Sequence, residues 1–187
     1  GDIDAVKKKE LVIESFQTFS LVLLDLFWFS RNTGSRISRY VIWDESSERL
    51  IANRRAIVVS AHLGNWEVAG LTIGAKGHSM ISVAAPLKNR FVDGILRKMR
   101  TGTAHSTVPR EGAIKKLISA LRRDERVAML LDQNVMPEEG GEFVDFFDLK
   151  APVSRAAEAL CLSTHAAIVF TYCLPMNDGT YEVRSKE

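Results

Sequence analysis

Cysteine, histidine and unbroken apolar stretches are all scarce in this chain of 187 residues. Its two cysteines, Cys161 and Cys173, are too few for a disulfide scaffold and lie in apolar surroundings without metal-type spacing, which fits a reducing compartment. No run reaches the roughly 18–20 apolar residues that span a bilayer; the closest, residues 16–29, is interrupted by Asp25. An excess of one charge is missing too. Lys and Arg number 25 against 23 Asp and Glu, for a net charge of +2, and the basic residues are scattered rather than blocked. That balance argues against a nucleic-acid partner and makes any attraction to phosphate or membrane a local one. There is no Gly-rich nucleotide loop, no Gly-x-Ser-x-Gly elbow for a serine acyl-enzyme, and no His-Glu-x-x-His zinc arrangement with an evident third ligand. Repeats, low-complexity segments and a second-domain linker are also lacking.

The chain does hold enough apolar material, 46% of its residues, to fill the core of one compact domain. Beyond residue 50, short β-rich apolar runs alternate with amphipathic ones. This pattern predicts an α/β domain spanning 1–187, a mostly parallel central sheet flanked by helices. Strands are expected at 56–62, 79–84, 104–108, 126–132, 165–173 and 180–184, and helices at 65–76, 89–101, 112–123 and 153–163. The segments 109–112 and 138–141 carry loop signals. In such sheets ligands collect beyond the carboxyl ends of the strands, where this reading places His62, Arg110 and Asp132. An N-terminal helical segment, about 5–30, is apolar on nearly every face over residues 16–29, so it is either a core helix or one laid partly in lipid. Arg31, Arg36 and Arg39 follow it and suit either an anionic membrane surface or a solvated face.

The most informative stretch is Ser60-Ala61-His62-Leu63-Gly64-Asn65-Trp66-Glu67. The apolar run Ala56-Ile57-Val58-Val59 reads as a buried strand that delivers a histidine; Gly64-Asn65 reads as the turn into a helix whose first turn holds Glu67. His62 and Glu67 would then share one rim. A carboxylate on one imidazole nitrogen fixes the tautomer and raises the basicity of the other, which takes a proton from a substrate hydroxyl. Spacing alone proves little, because acids make up 23 of 187 residues and any histidine meets one five places on about one time in eight. On that ground a structural pairing of His62 is as natural as a catalytic one. Val83, Arg110 and Phe170 stand at the same offset from His78, His105 and His165.

The ordered blocks S-A-H-L-G-N-W-E (60–67), P-L-K-N (86–89), the helix around Arg97 and Arg100, L-L-D-Q-N (130–134), and F-V-D-F-F (143–147) leading to A-P-V-S (151–154) decide between them. Together they resemble the lipid A biosynthesis acyltransferases, the lauroyl/myristoyl transferases within the His-x4-Asp/Glu glycerolipid acyltransferase superfamily. The resemblance runs from about Phe16 to the C-terminus. It departs from the pattern at Ala85, where relatives usually carry arginine, and at Asp148, where many have glycine after two phenylalanines.

The resemblance implies transfer of a fatty acyl group from an acyl-carrier-protein thioester, or acyl-coenzyme A, to a hydroxyl of a lipid A precursor. The place would be the cytoplasmic face of the inner membrane, the chain being peripheral or anchored by a segment outside it. His62 and Glu67 would be catalytic, with direct attack by the acceptor and no acyl-enzyme, metal or cofactor. The oxyanion would be held by backbone amides near Gly64 or by Arg100. Arg100, Lys88 and Arg110 would meet acceptor phosphate through charge and guanidinium forks, Asp132 would orient an arginine or the acceptor, and Phe143, Phe146 and Phe147 would line the acyl pocket. Another glycolipid or a lysophospholipid as acceptor, or an inactive lipid-binding relative, are the alternatives.

Overall fold

The computed structural model describes residues 4–52 and 55–187. Among these, β2 (Ala56–Ser60), β3 (Met80–Val83), β4 (His105–Val108), β5 (Arg126–Leu130) and β8 (Ala167–Pro175) stand where the apolar runs predicted strands. They join β1 (Val41–Trp43) and β9 (Tyr181–Lys186) in a seven-stranded sheet of order β1-β9-β8-β2-β5-β3-β4. All pairings are parallel except β8 with β9, which the short connection 176–180 folds back as a hairpin. The sheet is therefore the mostly parallel α/β sheet expected.

Alternation along β2 sends successive side chains to opposite faces. Ala56 and Val58 join one core with residues of α1 (Ala5–Phe29), α2 (Thr33–Tyr40), α3 (Glu45–Ala52) and α4 (Trp66–Ala75), such as Leu26, Ile37, Ile51 and Leu71. Leu96 and Met99 of α5 (Arg90–Arg100) pack against the same cluster. Ile57 faces the other way, toward Leu117 and Leu121 of α6 (Ala113–Arg122) and Leu160 of α7 (Ala156–Thr164). Apart from Trp66, Glu67 and Thr72, whose hydroxyl donates to the Val68 carbonyl, α4 carries only apolar side chains and glycine, and it is buried along most of its length, as a helix caught between a sheet and two other helices must be.

Three features depart from the sequence reading. The segment 31–52 folds as α2, β1 and α3, which are too short to show a period. Between β5 and α7 the chain makes a separate hairpin, β6 (Gly141–Phe146) and β7 (Leu149–Ser154), so the helix expected from 153 begins at Ala156. Its two-residue turn, Phe147-Asp148, has both residues at positive φ, 50° and 60°, the geometry that matches strand twist. Asp tolerates this region, which suits Asp148 to the turn.

The third departure is α1. Its 25 residues start at a side-chain cap from Asp4, at the bounds expected for the N-terminal helical segment, but form a helix long and apolar enough to cross a membrane, which no uninterrupted apolar run suggested. It is not a core helix. Only Val22, Leu26 and Phe29 are buried, while Leu11, Val12, Ile13, Phe16, Phe19 and Leu24 are exposed. A shallow groove of about 570 Å³ along it is lined by Ile13, Phe16, Gln17, Ser20 and Leu21.

The C-terminal half of α1 is thus seated on the body by few side chains. Leu26→Ala should lower unfolding free energy by about 2–5 kcal/mol through the cavity it leaves, whereas Leu24→Ala, 63% exposed, should stay within about 0.5 kcal/mol. Denaturant unfolding of the two variants measures the difference.

Candidate active site

Ser60 ends β2 and lies beside Leu130, which ends β5. Parallel neighbours keep their offset past the last pair, so His62 arrives beside Asp132, each two residues beyond its strand. The Asp132 carboxylate takes both groups His62 offers. Oδ2 accepts the His62 backbone N–H at 2.7 Å, and Oδ1 lies 2.9 Å from Nδ1 of the ring. Partial burial pushes the Asp132 carboxyl up, but the hydrogen bonds from the His62 amide and ring outweigh it and hold it below its ordinary value. An ionised carboxylate only accepts, so Nδ1 is the donor in this bond, and Nε2 is the ring nitrogen that Asp132 does not engage. The His62 side chain is 29% exposed. Trp66 stands edge-on to the imidazole with centroids 4.6 Å apart and forms its other wall.

Between His62 and α4 the chain is held tightly. Gly64 has φ +63°, and a Cβ there would lie 2.0 Å from the Cys173 carbonyl oxygen, so only glycine fits. The next amide, from Asn65, donates to that same carbonyl at 2.8 Å. Asn65 then caps α4, its Oδ1 accepting from the Val68 amide at 3.0 Å.

Glu67 is elsewhere. In the first turn of α4 it is 7% exposed and meets Arg100 at the end of α5, which donates from Nε to Oε2 at 3.0 Å and from a terminal nitrogen to Oε1 at 2.5 Å. Burial weakens the Arg100 charge, but Glu67, with help from Asp93, more than restores it and raises its pKa. The expectation that His62 and Glu67 form the pair at one rim is corrected: the carboxylate on His62 is Asp132. The fork of Arg100, expected to face a phosphate or the oxyanion, is occupied by Glu67. The helical position of Glu67 explains both, since the side chain points under α4 toward α5 and β4.

The other expected residues are spread along the rim. Lys88 is exposed in the loop between β3 and α5. Arg110 follows β4 and pairs loosely with Glu139 at 3.4 Å; three strand spacings, on the order of 14 Å, separate the ends of β2 and β4. Phe143, Phe146 and Phe147 are 47%, 61% and 85% exposed on the β6–β7 hairpin, and alternation turns Phe143 and Phe146 to opposite faces. They do not enclose a common pocket. The described residues contain no cluster of three or more His, Cys, Asp or Glu suited to a metal.

A family profile described as "Bacterial lipid A biosynthesis acyltransferase" matches residues 1–186. The chain belongs to that family. It is also similar to a protein named phosphatidylinositol mannoside acyltransferase in two strains of Mycobacterium tuberculosis, H37Rv and CDC 1551 / Oshkosh. In both cases identity is 27% over 138 residues, covering 70% of this chain and 42% of the relative. The chain thus matches less than half the length of these curated relatives. The S-A-H-L-G-N-W-E block is the loop that carries His62, caps α4 and delivers Glu67 to Arg100.

Two predictions separate the site's parts. Glu67→Gln leaves the Arg100 charge without its partner, so it should lower thermal stability, by about 1–3 kcal/mol given the partial exposure of the pair; calorimetry reads this directly. The second concerns His105 of β4, which donates to or accepts from Ser82 at 2.8 Å through Nε2 while its buried Nδ1 has no partner. Burial lowers its pKa from 6.5 to about 4, with Glu67 opposing and Arg100 reinforcing the shift. The unfolded chain therefore takes up this proton first on acidification. The contribution is complete above pH 6.5 and lost as pH falls to about 4. A pH series of melting temperatures should show a shallower fall across that window for His105→Gln than for the wild type.

Proposed function

We propose that this protein transfers a fatty acyl group from a thioester donor to a hydroxyl of an anionic glycolipid, with His62 as general base and Asp132 as its partner. The observation that carries the reading is the double hold of Asp132 on His62, backbone N–H and Nδ1 together, which leaves Nε2 as the ring nitrogen that the carboxylate does not engage. Nε2 takes the proton of the acceptor hydroxyl as its oxygen attacks the thioester carbonyl. The tetrahedral intermediate then collapses, the carbon–sulfur bond breaks, and the proton passes from His62 to the departing thiolate. Backbone amides of the Leu63-Gly64 turn stabilise the oxyanion. No serine or cysteine is needed as a relay. Glu67 and Arg100 act one layer behind, fixing the start of α4 against the end of α5.

The family and α1 support the acceptor and the place we assign. Lipid A precursors and the mannosylated phosphatidylinositol of the curated relative's name are both phosphorylated glycolipids. Lys88 and Arg110, on loops at the same edge of the sheet as His62, are the cations we assign to the acceptor's phosphate. The exposed apolar side of α1 suits a lipid surface. Next to it Arg31 and Arg36 lie over the rings of Phe27 and Trp28 at 4.8 and 4.1 Å, where they face anionic headgroups. We place the enzyme at the cytoplasmic face of the inner membrane, where acyl-carrier protein supplies the thioester.

The test is thiol release from acyl-carrier-protein and acyl-coenzyme A donors, with a lipid A precursor, a phosphatidylinositol mannoside and lysophosphatidic acid as acceptors. Turnover with either glycolipid supports the proposal, and lysophosphatidic acid alone would replace its acceptor. No transfer to any would favour a lipid-binding role. His62→Ala should lose at least ~10²-fold in kcat. Asp132→Asn should lose about 10- to 100-fold, because a carboxamide cannot accept from the amide and the ring at once. A folded His62→Ala protein working at the wild-type rate would sink the mechanism.

A further inference from the structure

We propose that Asp25 of α1 is a positioning residue for His62, and that α1 is for this reason a working part of the catalytic centre as well as a lipid contact. The proposal rests on His62 being the base.

Asp25 is the one acid in the apolar half of α1, and its carboxylate is turned inward. Oδ2 accepts from Asn65 Nδ2 at 2.9 Å and from the Tyr181 hydroxyl of β9, which itself lies 3.4 Å from Asn65 Nδ2. Asn65 is 2% exposed, so its side-chain amide is satisfied inside the protein: Oδ1 caps α4, Nδ2 is held by Asp25. Burial, then the bond to Asp25, pushes the Tyr181 phenol up to about 12, so it remains a donor. Three residues before Asn65 stands His62. A second route runs from α1 to the imidazole through rings, Phe19 against Trp66 with centroids 5.9 Å apart and Trp66 against His62 at 4.6 Å. The base is thus gripped from the strand side by Asp132 and from the helix side by Asp25 and Phe19. A misplacement on the order of 1 Å at a reacting group costs about 10²-fold in rate.

Asp25 could instead be a mere tether for α1, and the reciprocal swap separates the two. In Asp25→Asn/Asn65→Asp the amide at 25 donates to the carboxylate at 65, which still caps α4 through its other oxygen. In the full-length protein, measured as thiol release from the acyl-coenzyme A donor with water or lipid as acceptor, Asp25→Ala should lose about 10- to 100-fold in kcat. The donor KM should stay within about twofold and the melting curve should remain cooperative. Asn65→Asp alone sets two carboxylates face to face and should lose as much, and the swap should recover most of the lost kcat. Tyr181→Phe, which removes one donor and keeps the ring, should lose less and serves if Asp25→Ala does not fold.

Wild-type kcat in folded Asp25→Ala, a loss confined to KM, or a folded swap no better than its single variants would each overturn the proposal. His62→Ala run beside them keeps the two ideas apart. If it is inactive while Asp25→Ala is not, only the positioning role fails; if it works normally, the base itself is wrong.

Discussion

The registration of β5 against β2 is the constraint on which the site depends. Two parallel strands paired from Ile57 with Val127 to Ser60 with Leu130 bring the next residues out at the same level, and a single slip would set His62 beside Leu131 or Gln133. Register in a buried parallel strand is strongly fixed, because a shift of one residue turns its apolar set to the wrong face. Packing energy in the core, distributed over Ile57, Val58 and Val127, thereby fixes a hydrogen-bond distance at the rim. The pair needs no separate source of precision.

Most of the sheet was legible in the sequence because its central strands read as near-continuous apolar runs. Ala56-Ile57-Val58-Val59 and Val127-Ala128-Met129-Leu130 were visible for that reason. β1 has three residues and α2 and α3 eight each, lengths at which no periodicity accumulates. The β6–β7 hairpin was missed since β6 is exposed from Glu142 to Phe146, which leaves no alternation to follow.

The site was half legible. His62 stood out because a strand delivered it, and Asp132 was found as the end of another strand. That the two meet depends on which strands are neighbours, 70 residues apart in sequence, and local spacing carries no such information. The nearby Glu67 attracted the pairing because it shares the motif, but the five-residue interval crosses a turn and places it under the helix. The pattern His-x4-Glu describes one loop with two separate contacts, His62 on Asp132 and Glu67 on Arg100. Asp25 showed only as an interruption in an apolar run; its partner Asn65 lies 40 residues away.

β9, which with β1 runs opposite to the rest of the sheet, has a further consequence through Tyr181. The loop of the base is clasped by residues 40, 70 and 116 positions away along the chain, at Asp25, Asp132 and Tyr181. A segment emerging from the ribosome holds none of the later partners, so the groups around His62 come together only once β9 has closed on β8. Contacts of such long range form late in folding. The loop around His62 is in this way completed only in chains whose sheet is finished, while the N-terminal helix, whose hydrogen bonds are local, has no such requirement.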